Sequence, residues 1–162
     1  MDTQSLRRCG AYVTIAALVA ATIAMSVGGV SSAAPSGHAA KRKSLTLKDS
    51  ASLHMTRKNG NVIYEKGTAT GTLPGTVTAR FVTGVTKVTG TVTLKPYSGG
   101  SLTVSCVGYP QSAATITRFT GSLAVRKGTG RYQNALGSGT FSGTANRRTW
   151  AVTVHVNARI TY

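Results

Sequence analysis

The chain has 162 residues, with 19 Lys and Arg against 3 Asp and Glu, a formal net charge of +16 and 6% aromatic residues. That length fits one domain, and so few acids exclude hydrolysis by a pair of facing carboxylates. Two Cys and three scattered His give no metal-ligand spacing, so neither a metal nor a cofactor is expected.

In chain order, Arg7 and Arg8 precede an apolar run from Ala11 to about Val30, and the small residues Ser31, Ser32, Ala33 and Ala34 lead into Pro35. A positive n-region, an apolar h-region and a small-residue cleavage zone predict a signal peptide over 1–34, cut near Ala34, and a secreted protein. The alternative is an uncleaved N-terminal membrane anchor, since the run approaches the roughly 20 residues that cross a bilayer. Cys9-Gly10-Ala11 fits a twin-arginine pattern poorly, and Cys9 precedes the apolar run, where it is not placed for lipidation. Residues 35–43 read as a flexible basic leader closed by Lys41-Arg42-Lys43. Without Arg7, Arg8 and Asp2 the chain keeps 17 basic and 2 acidic residues, about +15, which attracts polyanions of any kind. Only Cys106 survives cleavage, so the core must hold without an intrachain disulfide.

From Ser44 the pattern is that of strands. Segments at 53–57 and 61–72 flank Asn59-Gly60, a two-residue hairpin turn by composition. Val77, Ala79 and Phe81 alternate with Thr76, Thr78 and Arg80, beyond a break at Pro74-Gly75. Val88, Gly90, Val92 and Leu94 alternate with Lys87, Thr89, Thr91, Thr93 and Lys95, before a break over 96–100. Strand 102–107 puts Cys106 on the face of Leu102 and Val104, as a buried inert thiol. Phe119, Gly121, Leu123 and Val125 form the next apolar face, and 140–146 is a weaker strand. Last comes the longest alternation: Trp150, Val152, Val154, Val156, Ala158, Ile160 and Tyr162. Eight antiparallel strands in a hairpin meander predict an all-β, eight-stranded up-and-down β-barrel over 44–162. An immunoglobulin-like sandwich competes, but the chain lacks the Cys pair and the matching Trp. Gly67, Gly71, Gly90, Gly121 and Gly143 fall inside strands, where bends or close approaches of a curved wall explain them.

Late in the domain, 128–141 reads GTGRYQNALGSGTF, followed by Ser142-Gly143-Thr144 and the terminal strand. This stretch resembles the allene oxide cyclase and dirigent barrel-like superfamily, whose members carry Gly-x-Gly-x-aromatic-x-x-Ala-x-Gly late in an eight-stranded antiparallel barrel. The matching positions are Gly128, Gly130, Tyr132, Ala135 and Gly137, and the resemblance covers roughly 70–162. It implies an interior that holds an apolar small molecule, with polar groups guiding cyclisation or radical coupling in the catalytic members. Catalytic dirigent-type pockets use acids. Here only Asp49 and Glu65 follow the leader, and neither matches a catalytic position, so no active residue carries over.

Glu65, an acid among apolar and glycine positions, is the candidate for an inward carboxyl with a raised pKa; beside Lys66 it also fits a surface pair. Tyr64, Tyr132 and Trp150 are the aromatic candidates for a ligand pocket, although aromatic residues at alternating positions are more often ordinary core. His54 and His155 fall on polar faces, and no Gly-x-Ser-x-Gly elbow is present. Four functions fit this pattern. The first is a secreted barrel binding a small apolar ligand, and the second an isomerase or coupling-directing protein like the catalytic members of the resembled superfamily. The third is a basic surface protein adhering to anionic polymers, without a specific nucleic-acid motif. The fourth is a small outer-membrane barrel, whose apolar face would look outward to lipid. The sequence does not fix the oligomeric state.

Overall fold

The computed structural model describes residues 42–162; the expected signal peptide and leader residues 35–41 lie outside them. Eight strands run in order: β1 Ser44–Asn59, β2 Val62–Gly71, β3 Gly75–Thr83, β4 Val88–Pro96, β5 Ser101–Pro110, β6 Ile116–Thr129, β7 Leu136–Asn146 and β8 Ala151–Thr161. Each pairs antiparallel with the next. β8 returns to β1 in register from Ser44↔Thr161 to Leu53↔Val152, so the sheet closes into the expected up-and-down barrel. All eight strands and the residues that pack between them fall in one compact unit, Ala39–Tyr162.

Alternation divides the wall into two faces. Leu47, Leu53, Ile63, Val77, Leu102, Val125 and Ile160 are buried inside. Thr and Ser dominate the outer face, and every Lys and Arg from Arg42 to Arg159 is exposed, on that face or in the turns. Two bulges keep the phase. Thr56 is the extra residue between Met55, opposite Glu65, and Arg57, opposite Tyr64, while Arg126 is extra between Val125 and Lys127 on β6. A bulge bends its strand and sharpens the local twist, which a closing wall requires.

Strand glycines serve here as seats for aromatic rings. The ring of Phe81 occupies the place a Cβ on its partner Gly90 would take; Phe141 does the same over Gly121, and Phe119 over Gly143. Phe119 and Phe141 then meet edge to face at 6.0 Å. Bare backbone under a ring lets a bulky side chain lie flat against the wall.

Three details differ from the sequence reading. The β1–β2 turn is Gly60-Asn61, since Asn59 pairs with Val62. Gly60 takes φ +58 at the first central position, a left-handed conformation that glycine adopts at no steric cost. β1 and β6 extend well beyond their apolar cores, to 16 and 14 residues. Trp150 does not belong to β8: it sits in the preceding turn at φ 56, its N–H donating to the Asn146 carbonyl at 2.7 Å.

The two ends of the barrel are built differently. At the end where the chain enters β1 and leaves β8, the β6–β7 connection folds inward as a 3-10 turn, Gly130–Tyr132, and places Tyr132 in the lumen at 1% exposure. Leu47, Leu73, Leu102, Val125, Ala135, Ala158 and Ile160 pack around it. Tyr162 meets its ring edge to face at 5.1 Å. The Leu73 N–H donates to Asp49 Oδ1 at 3.0 Å, which fixes the β2–β3 turn against this plug. The five glycine, aromatic and alanine positions of the 128–137 segment all act here. Tyr132 is the plug, Ala135 packs beside it, Gly130 takes φ +59, and a Cβ on Gly128 or Gly137 would strike the Tyr132 or Arg159 carbonyl.

Candidate functional site

Above the plug the lumen is not filled. A cavity of about 480 Å³ runs from Leu47, Leu102 and Val125 to the opposite rim, where Val85, Pro110, Arg147 and Trp150 line its mouth. Its volume lies within the range of small-molecule pockets, roughly 300–1,000 Å³. The walls are aliphatic and aromatic: Leu53, Val77, Phe81, Val92, Val104, Phe119, Phe141, Val152 and Val156 among them. Inward positions of small volume, such as Ala51, Ala69 and Ala145, leave the space open because their neighbours across the sheet do not reach over them.

Glu65 breaks this apolar surface. It lies on β2 between Met55 of β1 and Ala79 of β3, with 3% exposure, and Oε2 has no hydrogen-bond partner. Lys66, its sequence neighbour, points to the outer face, so the surface pair does not form. Burial penalises the ionised form and pushes the Glu65 carboxyl from 4.5 up to about 7. A carboxyl with that pKa exists in both forms near neutral pH. It can donate one strong hydrogen bond when protonated and accept several when ionised.

The other acid, Asp49, is also buried along the cavity wall, but its Oδ1 already accepts the Leu73 N–H. Cys106 is buried and unpaired. Burial raises its thiol from 9.0 to about 11, partly offset by a hydrogen bond with the Gly90 backbone, so it is a wall residue and not a nucleophile. His155 is on the outer face, its Nδ1 2.8 Å from Ser50 Oγ. Among the described residues no three His, Cys, Asp or Glu side chains gather as a metal site.

The four side chains expected around one pocket separate into three regions. Glu65 lines the cavity and Trp150 its mouth, where Lys58 Nζ sits 4.6 Å above the indole ring. Tyr132 plugs the far end. Tyr64 is on the outer wall beneath Arg57, whose guanidinium lies 5.9 Å from its ring, because β2 turns Ile63 and Glu65 inward. Tyr64 is therefore not a pocket residue. The sequence reading did not assign Phe141 or Arg147 to the pocket. Phe141 follows the glycine-rich β7 start, and Arg147 lies in a turn held by Asn146, whose Oδ1 accepts the N–H groups of Arg148 and Thr149. The Arg147 guanidinium donates to the Ser112 carbonyl at 3.1 Å, joining the β5–β6 and β7–β8 loops at the rim.

Fold and cavity together define a closed up-and-down β-barrel, plugged at one end, with an apolar lumen opening at the other. Compared with family models, with curated proteins and with solved structures, the chain matches none.

Proposed function

We propose that the protein is an exported binding barrel that takes one small, mainly apolar molecule into its lumen, with a polar group of that molecule meeting Glu65. The observation that carries this reading is a 480 Å³ apolar cavity whose wall holds a buried carboxyl with an oxygen that has no partner. A ligand group bonded to Oε2 would remove the cost of that orphaned acceptor, so binding has a polar as well as an apolar driving force. The wall is polar outside and apolar inside, the reverse of a lipid-spanning barrel, which weighs against the outer-membrane alternative.

The test is a titration of the Ala39–Tyr162 chain with the neutral apolar fluorophore N-phenylnaphthylamine, read by energy transfer from Trp150, the single tryptophan. One saturable site is expected. Ala51→Phe, which lays a ring across the lumen, should weaken it at least about tenfold. Non-saturable binding, or binding indifferent to that substitution, would reject a lumenal site. Native mass spectrometry before and after organic extraction then identifies what the chain carries.

A second reading rests on Glu65 itself. A lone carboxyl near neutrality in apolar surroundings can move a proton, as an isomerase or coupling-directing protein of the allene oxide cyclase and dirigent kind would require. It predicts conversion of a bound compound that Glu65→Gln abolishes while leaving its affinity in place.

A further inference from the structure

We propose that the open rim of the barrel docks onto an anionic lipid surface, with the cavity mouth facing the membrane. The observations are independent of what the cavity holds. Val85, at the tip of the β3–β4 hairpin, is 103% exposed although it lines the mouth, and Ile116, closing the β5–β6 loop, is 64% exposed. Two aliphatic side chains at one end of a small barrel, one in the β3–β4 turn and one at the start of β6, point away from the core and into solvent. Lys58 near the end of β1, Lys87 in the β3–β4 turn with Val85, and Arg147 and Arg148 in the β7–β8 connection lie along the same rim, and all four are exposed.

No acid offsets them. Among the described residues the only carboxylate side chains are Asp49 and Glu65, and both are buried inside the barrel. Cations alone would fit any polyanion. The apolar tips select among these partners, because only a lipid surface offers hydrocarbon within reach of charges that hold the cations. Each Lys or Arg near an anionic leaflet strengthens attraction about fivefold, and shallow burial of the two aliphatic tips adds to it. In that orientation an apolar compound passes from bilayer to lumen without crossing water.

The experiment measures sedimentation of the Ala39–Tyr162 chain, which contains the whole barrel and its core, with vesicles of phosphatidylcholine alone or with about 30% phosphatidylglycerol. Binding should be at least about tenfold tighter to the anionic vesicles and should weaken as salt rises from about 0.1 to 0.5 M. The double variant V85S/I116S should lose at least about tenfold in affinity. The matching change at the plugged end, Y97S/L136S, removes two exposed apolar residues of 70% and 52% exposure and should stay within about twofold. Equal binding to both vesicle types overturns the proposal. Equal losses from the two double variants, or no loss from V85S/I116S, also overturn it, the last pointing to adhesion by charge over the whole wall. I116S alone, a change outside the cavity lining, should weaken vesicle binding and leave the fluorophore titration in the absence of lipid unchanged, which separates failure of docking from failure of the cavity.

Discussion

The two ends of this barrel are made from the same eight strands and have opposite fates. At the plugged end a connection folds into the lumen and brings Tyr132, with Leu73 and Ala135 packed beside it. At the open end the connections stay on the rim, and below them small inward residues such as Ala51 and Ala145, with the rings of Phe81, Phe119 and Phe141 laid against the wall, leave the lumen open. Hydrophobic side chains alone do not decide whether a barrel is filled; a loop that supplies a large ring to the axis does. The plugged end therefore holds the fold and the open end is left free to bind.

The largest expected effect falls on the plug. Tyr132→Ala should cost about 3–5 kcal/mol in urea unfolding, whereas Tyr132→Phe should stay within about 1 kcal/mol, because the hydroxyl has only a long contact, 3.4 Å, with Ser98 Oγ. If the two variants behaved alike, the ring would not be what closes that end. Next is the pH dependence set by Glu65. Its folded pKa of about 7 lies above the 4.5 of the unfolded chain, so between these values the native state holds more protons. Stability should fall as pH rises through that window and level off above it, by up to about 3 kcal/mol. Glu65→Gln should remove this dependence, and the difference between the two pH curves isolates the one carboxyl.

Smaller still, Ala51→Phe should change stability by no more than about 1 kcal/mol, since the added ring enters empty space, where the same enlargement in a packed core costs more. Urea unfolding of that variant measures directly how empty the open half is. The mildest test is Cys106, whose thiol is pushed up to about 11. Labelling by a disulfide reagent at pH 8 should be slow in the folded protein and accelerate on unfolding. Rapid labelling in the native state would mean that the lumen admits both reagent and water.

The fold was legible because period-two alternation survives in most strands and the turns carry Gly, Pro and Asn. The site was legible only in part, for reasons particular to the residues. On β2 the inward set is Ile63, Glu65, Gly67 and Ala69, and hydrophobicity does not favour it over Val62 and Tyr64; only pairing with β1 and β3 turns Tyr64 outward. Trp150 matches the phase of Val152 in sequence, yet the turn organised by the Asn146 side chain ends the strand first. The 128–137 segment carries its glycines for close approach to the Tyr132 and Arg159 backbone, a packing demand that only the assembled plug makes visible.

The closing pair of strands also governs how this molecule comes into being. β1 is made first, yet half of its hydrogen-bonding positions face β8, the last 11-residue strand of the chain. Until those residues arrive the nascent sheet has two open edges separated by the whole domain, a topology of high contact order and slow closure. A chain cut short before β8 would expose both edges at once and join other chains instead of itself. The strand that closes the sheet thus decides whether the chain pairs with itself or with its neighbours.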